Sequence, residues 1–476
     1  MNVTLISTYE LGRQPFGLAS PAAWLRAAGA EVACLDLAVE PLRPEALADA
    51  GLVAVHLPMH TATRLAATLL PEIQRIAPAA HICCYGLYAP LNAAYLRALG
   101  ASSIIGGEFE GELVALYRRL SAEAEEQRLE RAERVELRSP RSNLQPQSAT
   151  LNRSIATETI CLDRLDFIPP DRRGLPTLAQ YAQVRLPGGA LLAAGYTEAS
   201  RGCKHRCRHC PIVPVYNGRF RVVPRTVVLE DVRRQVAAGA QHITFGDPDF
   251  LNGPGHALAL VRALHSEFPQ LTYDVTIKIE HLLRHAALLP ELRATGCLFV
   301  TSAVEAVDEA TLAALGKGHT RDDVIRAAKL LRATGLALNP TFVAFTPWTT
   351  PASYRDLLAL IVKLDLVENV APVQYTIRLL ITAGSRLLEL PEVRRLTGPF
   401  DPVALAYPWA HPDPRVDTLQ RGVLAAVQRG LGQGDGRAAI FGQVWALAHT
   451  AAGARPPALP PLSRAPIPAM TEPWYC

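Results

Sequence analysis

Several absences narrow the class of this 476-residue chain. No apolar run reaches the ~18 residues that a membrane-crossing helix needs, so no membrane span is expected. The N-terminus, Met1-Asn2-Val3-Thr4-Leu5-Ile6-Ser7, has no basic segment ahead of a long apolar stretch. It reads as a first core strand rather than a signal peptide. Charge of one sign is also short: 48 Lys and Arg against 44 Asp and Glu leave a net +4. A dedicated nucleic-acid binder usually carries a concentrated basic face, so no nucleic-acid partner is expected. Nine cysteines in so long a chain do not make a disulfide framework. A cytoplasmic, reducing compartment is the expectation, with the thiols free or bound to metal. No segment repeats at a fixed period.

What is present is an alternation of strand and helix signals. Residues 1–121 carry short apolar strands at Val3 to Ser7, Val32 to Leu37, Leu52 to Leu57, His81 to Tyr85 and Ala101 to Ile105, spaced by helices. This predicts an α/β domain, a doubly wound parallel sheet. Residues 122–185 read as a charged, solvated helix followed by a linker, with Pro140 and Pro146 in its polar part. Over residues 186–385 the alternation resumes. Strands are expected at Leu191 to Gly195, His242 to Phe245, Thr272 to Ile279, Leu298 to Val304, Thr341 to Phe345 and Val373 to Leu379. Six such units suit a partial (βα)6 barrel with its site at the carboxyl ends of the strands. Residues 386–476 form a C-terminal extension whose Pro-rich tail, from about Gly453, is not expected to pack as regular structure.

The chemistry concentrates in Gly202-Cys203-Lys204-His205-Arg206-Cys207-Arg208-His209-Cys210-Pro211. Three cysteines just after a strand can aim three thiolates at one centre. Three thiolates on an iron–sulfur cubane leave one iron open for another ligand. Lys204, Arg206 and Arg208 add positive charge, which favours thiolates. Zinc held by these cysteines, with His205 or His209 as fourth ligand, is the alternative.

The stretch from Tyr196 to Leu380 resembles the radical S-adenosylmethionine (SAM) superfamily in the cysteine spacing and in its place after the first barrel strand. That resemblance implies a [4Fe–4S] cluster on Cys203, Cys207 and Cys210, and reductive cleavage of SAM bound at the open iron. It also implies an electron donor such as flavodoxin or ferredoxin. The residue before the last cysteine is usually aromatic in this family; here it is His209, expected near the adenine. Gly246 and Asp247 match by position the family's turn that holds the SAM ammonium; a Gly-Asp-Pro turn serving structure alone is the other reading. Ser302 or Glu305 fits the residue that binds the ribose. Lys278 and Glu280, read as one polar face of the third strand with Thr276, are candidate catalytic groups, against a solvated edge face. Arg378 is a third candidate, against a structural ion pair.

The N-terminal part is similar to the cobalamin-binding domain that precedes many such barrels. The family's cobalt-ligating loop carries a histidine, but Thr8-Tyr9-Glu10-Leu11-Gly12-Arg13-Gln14-Pro15 has none. Cobalamin without a histidine ligand stays open; histidine-ligated cobalamin is not expected. The whole chain is most similar to the subgroup with a Cys-Sec-Ala-Glu-Pro or Cys-Cys-Ala-Glu-Pro tail. Gly12-Arg13-Gln14-Pro15, the segment Gly246 to Pro254 and the final Glu472-Pro473-Trp474-Tyr475-Cys476 carry that likeness. The likeness implies that the natural chain continues past Cys476 through a UGA-encoded selenocysteine; a tail ending in one exposed thiol is the other reading. The leading expectation is radical modification of a small molecule. Aminocarboxypropyl transfer, cobalamin-dependent methyl transfer, and a non-catalytic iron–sulfur or zinc sensor compete with it.

Overall fold

A computed structural model of the chain describes residues 1–136, 157–460 and 466–472. These residues divide into two compact units. One comprises Met1–Tyr9 and Pro15–Leu175; the other comprises Glu10–Gln14 and Pro176–Cys476. The expectations for Cys476 and the last three residues before it lie outside the described residues.

The first unit is built on β1 (Asn2–Ser7), β2 (Glu31–Asp36), β3 (Ala50–His56), β4 (His81–Tyr85), β5 (Ser103–Gly107) and β6 (Thr157–Cys161). All pairs are parallel, in the order β2-β1-β3-β4-β5-β6. Both faces are covered, and the residues show why the strands read as unbroken apolar runs. On β3, Val53 and Val55 join one core, whereas Leu52 and Ala54 join the other. Adjacent Cys83 and Cys84 fall on opposite faces in the same way and are free thiols. Burial pushes the Cys84 thiol up to about 12. The charged stretch expected as a solvated helix is the continuation of the preceding one, in a single helix Phe109–Glu136. β6, inside the expected linker, is an additional edge strand.

The second unit contains β7 (Gln183–Arg185), β8 (Leu191–Thr197), β9 (Ser200–Gly202), β10 (Phe220–Val222), β11 (His242–Phe245), β12 (Thr272–Thr276), β13 (Cys297–Glu305), β14 (Ala337–Phe342) and β15 (Ala469–Met470). β8, β11, β12, β13 and β14 pair in parallel in that order, and helices link the last four. The sheet is a partly closed barrel. On its open side β7 pairs antiparallel with β8, and β15 with β7. β15 therefore gives part of the Pro-rich tail regular pairing, contrary to expectation.

Two further expectations change here. The sixth barrel strand is reduced to one parallel bridge, Phe345 to Arg378. Pro372 starts a 3-10 turn, Pro372–Tyr375, in place of the strand's first half, because proline has no N–H to donate to a ladder. The third strand ends at Thr276, so Lys278 and Glu280 do not share a strand face. Lys278 is extended and precedes the helix Ile279–Arg284, which carries Glu280. Of the other expected barrel strands, His242–Phe245 recurs with the same ends, those at Leu191 and Leu298 with shifted ends, and the fifth lies earlier, at Ala337–Phe342, overlapping Thr341 to Phe345 by two residues. No helix among the described residues is long and apolar enough to cross a membrane.

Candidate active site

The cysteine loop leaves the carboxyl end of β8 and is closed at its base by the β9–β10 ribbon, where Phe220 faces Gly202. Gly202 is needed there. Its φ is +70°, and a Cβ would lie 2.5 Å from the Arg219 carbonyl and from the Tyr216 ring. Cys203 and Cys207 are buried and Cys210 is partly buried. Burial raises the Cys203 thiol and pushes Cys210 up to about 12, so the loop's own cations do not bring these thiols down. Lys204 instead stacks over the Phe220 ring at 4.6 Å. Arg208 donates from Nη1 to the Ala313 and Ala314 carbonyls at 3.0 Å, satisfying the end of the helix Glu309–Leu315.

The positive charge that acts on the sulfurs comes from elsewhere. Lys317 is buried. Burial pulls its ammonium down, but the Glu305 carboxylate and the charges of Cys207 and Cys210 outweigh this and raise it. Asn252 Nδ2 lies 3.7 Å from Cys203 Sγ as a donor. Three clustered thiols with a buried cation and an amide donor fit a [4Fe–4S] cluster, whose net charge is negative. The two histidines considered as zinc ligands both face carboxylates instead. His205 Nε2 is 3.2 Å from Asp249 Oδ2, and His209 Nε2 is 3.1 Å from Glu305 Oε1.

Glu305 ends β13 at φ +67°, a left-handed conformation that costs a non-glycine residue about 1–2 kcal/mol. Its Oε1 meets both His209 and Lys317, the latter at 3.3 Å. Burial would raise its carboxyl, but Lys317 and His209 hold it at about 2. Strain held in place by an ion pair beside a cysteine loop is a pattern of functional sites. Two buried polar atoms here have no hydrogen-bond partner among the described residues: His209 Nδ1 and Ser302 Oγ. Such orphans are rare in finished cores. They lie on residues that the family resemblance assigns to SAM, and they fit a nucleoside.

Gly246 and Asp247 follow β11. A Cβ on Gly246 would lie 1.7 Å from Tyr196 Oη, so only glycine lets the turn close on that ring. Asp247 accepts from the Ala199 amide at 2.9 Å and from Ser200 Oγ at 2.5 Å. Burial pushes its carboxyl up to about 7 against these donors. Asp247 therefore ties β11 to the segment that enters the cysteine loop. Lys278 Nζ meets Glu280 Oε2 at 3.2 Å and His205 Nδ1 at 3.1 Å. Arg378 donates to Asp417 Oδ1 at 2.6 Å and to the Trp409 carbonyl at 2.8 Å, with its guanidinium 3.6 Å from the Trp409 ring centroid. Lys317, Asn252, Ser200 and Tyr196 are contributors that the motifs did not single out as site residues.

For cobalamin, the strand order places the switch point of the first unit between β1 and β3, where ligands of such sheets bind. His56 ends β3 there, but its ring is 5.1 Å from Tyr85 and 5.7 Å from Phe109, packed among aromatics. It fills the space over Gly17, where a Cβ would lie 1.9 Å from its Cε1. A cobalt ligand from His56 would have to abandon that packing.

Residues 197–358 match the radical SAM superfamily model. The matched span begins at the last residue of β8 and contains all three loop cysteines. Residues 197–358 of the chain thus carry a radical SAM domain. Over 166 residues it is 27% identical to the tRNA-2-methylthio-N(6)-dimethylallyladenosine synthase of Pelodictyon phaeoclathratiforme. That match covers 32% of this chain and only 36% of that relative's length. Among solved structures, the cobalamin-dependent SAM radical enzyme OxsB aligns with TM-score 0.64 at 14% identity, over 90% of this chain and 67% of that one. The radical SAM methyltransferase TsrM from Kitasatospora setae aligns with TM-score 0.55 at 18% identity, over 76% and 71%. At these identities the likeness is one of fold.

Proposed function

We propose that the protein holds a [4Fe–4S] cluster on Cys203, Cys207 and Cys210, cleaves SAM reductively and modifies a small molecule by radical chemistry. The observation that carries this reading is the set of three cysteines on one loop at the carboxyl end of β8, with buried Lys317 acting on Cys207 and Cys210. When bound, such a cluster supplies one electron to the SAM sulfonium and a carbon–sulfur bond breaks.

The chain's own residues orient the partners. His209 offers Nδ1 on the adenine side, and Ser302 offers its hydroxyl to the ribose, with Glu305 beside it. Gly246 brings backbone close to the SAM ammonium, and Asp247 supplies the acid of that turn. Lys278 and Glu280 are candidates to meet substrate. Arg378, engaged by Asp417 and Trp409, is read as a structural residue. The electron comes from a flavodoxin- or ferredoxin-type donor. Cobalamin-assisted methyl transfer is the second reading, supported by the switch point in the sheet of the first unit and by the fold-level likeness to OxsB over 90% of this chain.

Anaerobic reconstitution with SAM and dithionite tests the proposal. Release of 5′-deoxyadenosine supports hydrogen abstraction. Methylthioadenosine points to aminocarboxypropyl transfer, and S-adenosylhomocysteine to methyl transfer. A protein with a full complement of iron that forms none of these would overturn the enzymatic reading.

A further inference from the structure

Beside the cysteine loop, side chains from three separate segments converge. His205 lies within the loop, Asp249 caps the 3-10 turn after β11, and His281 lies on the helix after β12. Asp249 Oδ2 is 3.2 Å from His205 Nε2 and 2.8 Å from His281 Nδ1. The three ligand atoms offered lie within 4.8 Å of one another. An ion with bonds of about 2.0–2.2 Å needs neighbouring ligand atoms about 2.9–3.5 Å apart, close to both measured separations.

Two features separate this arrangement from a hydrogen-bonded cluster. His281 is only 4% exposed, and its Nδ1 has no hydrogen-bond partner despite the carboxylate oxygen 2.8 Å away. The nitrogen is thus buried against the carboxylate oxygen without a well-directed ring N–H bond to it. Asp249 is also braced to offer a single oxygen: Oδ1 accepts from the Leu251 amide at 3.1 Å, and Oδ2 alone faces the imidazoles. Outside this group, His205 Nδ1 faces Lys278 Nζ at 3.1 Å and, behind it, Glu280 Oε2 at 3.9 Å. A carboxylate behind a ligating imidazole is the usual device that fixes its tautomer. With an ion on Nε2 the ring proton sits on Nδ1, so Lys278 Nζ must turn away from the ring, which leaves the N–H facing Glu280. Lys278 then keeps its pairing with Glu280, whose other oxygen takes Arg284 at 2.6 Å.

We propose that His205, Asp249 and His281 bind a divalent first-row transition ion, Zn2+ or Fe2+, at a site distinct from the cluster thiolates. Two nitrogens and one oxygen favour such an ion over Mg2+ or Ca2+. Three protein ligands leave coordination positions open, which water or an oxygen or sulfur donor of a substrate takes.

The test uses the full chain, reconstituted anaerobically with iron and sulfide, given one equivalent of Zn2+ and desalted. About one zinc per chain is expected alongside about four irons, and the zinc edge spectrum should show nitrogen and oxygen at about 2.0–2.2 Å without sulfur near about 2.3 Å. Asp249→Asn and His281→Gln should each weaken zinc binding at least about tenfold, with iron content unchanged. Loss of zinc from the wild type on desalting, a sulfur shell around zinc, or equal retention in both folded variants would overturn the site. If a variant does not fold, the wild-type edge spectrum decides alone. Nitrogen-bound zinc in a protein that takes up no iron would keep this site and remove the cluster reading, so the two fail separately.

Discussion

Lys317 places its ammonium 3.3 Å from Glu305 Oε1, and both side chains are buried, 4% and 10% exposed. The pair joins the end of β13 to the cysteine loop through His209. Removing one partner strands the other's charge in the core, which typically costs about 3–5 kcal/mol. Lys317→Met should therefore lower stability by that order in urea unfolding. Glu305→Gln combined with Lys317→Met should recover most of the loss. A single variant within about 1 kcal/mol of wild type would show that the charges are solvated rather than coupled.

The cluster assignment predicts that Cys203→Ala, Cys207→Ala and Cys210→Ala each abolish SAM cleavage and drop reconstituted iron far below about four per chain. Iron analysis and product chromatography on anaerobic protein check this. Full SAM cleavage by any one variant would remove its cysteine from the ligand set.

The parallel sheet and the five main barrel strands were legible because double-sided burial leaves continuous apolar runs. The cysteine loop was legible because its ligands are local in sequence. Other features were hidden for physical reasons. β6, Thr-Glu-Thr-Ile-Cys, is a half-polar edge strand whose only partner is β5. In Asp274-Val275-Thr276-Ile277-Lys278-Ile279-Glu280 the polar alternation suited a longer strand, yet the chain turns after Thr276. Asp249 and His205 are 44 residues apart, so only the packing of β11 against β8 brings them together. Lys317 is more than 100 residues from the cysteine loop, so its charge acts on the sulfurs only through the fold.

Asp247 makes two separable predictions. Asp247→Ala leaves the Ala199 amide and the Ser200 hydroxyl without their acceptor, at about 1–3 kcal/mol for each buried group left unpaired. It should also weaken SAM binding in calorimetry while reconstituted iron stays unchanged. Lower stability with unaltered SAM affinity would leave Asp247 as a tie between β11 and the loop and remove it from the ammonium site.

Gly246→Ala should be damaging for a steric reason. Its Cβ would sit 1.7 Å from Tyr196 Oη and 2.1 Å from Cζ, and the buried Tyr196 ring has Arg13 at 5.0 Å over its face. Forcing that ring aside should cost about 1–3 kcal/mol, read as a lower urea midpoint. An unchanged midpoint would mean that the turn relaxes away from the ring.

Arg378 and Asp417 carry a pH prediction. Burial tends to raise the Asp417 carboxyl, but its bond to Arg378 Nη1 and the His411 amide hold it below the ordinary aspartate value. In the unfolded chain that hold is gone, so the unfolded state binds a proton first as pH falls. The resulting stabilisation is fully present above the ordinary aspartate range of about 4 and is lost progressively as pH drops through it to the lower folded value. Arg378→Ala removes the partner and also uncovers the Trp409 ring on which the guanidinium lies. The variant should melt at lower temperature at neutral pH, and its melting temperature should fall less steeply than that of wild type between about pH 5 and pH 3. Parallel melting curves across that range would show that Arg378 acts through packing on Trp409 alone. Loss of SAM cleavage by a variant of wild-type stability would return Arg378 to the site.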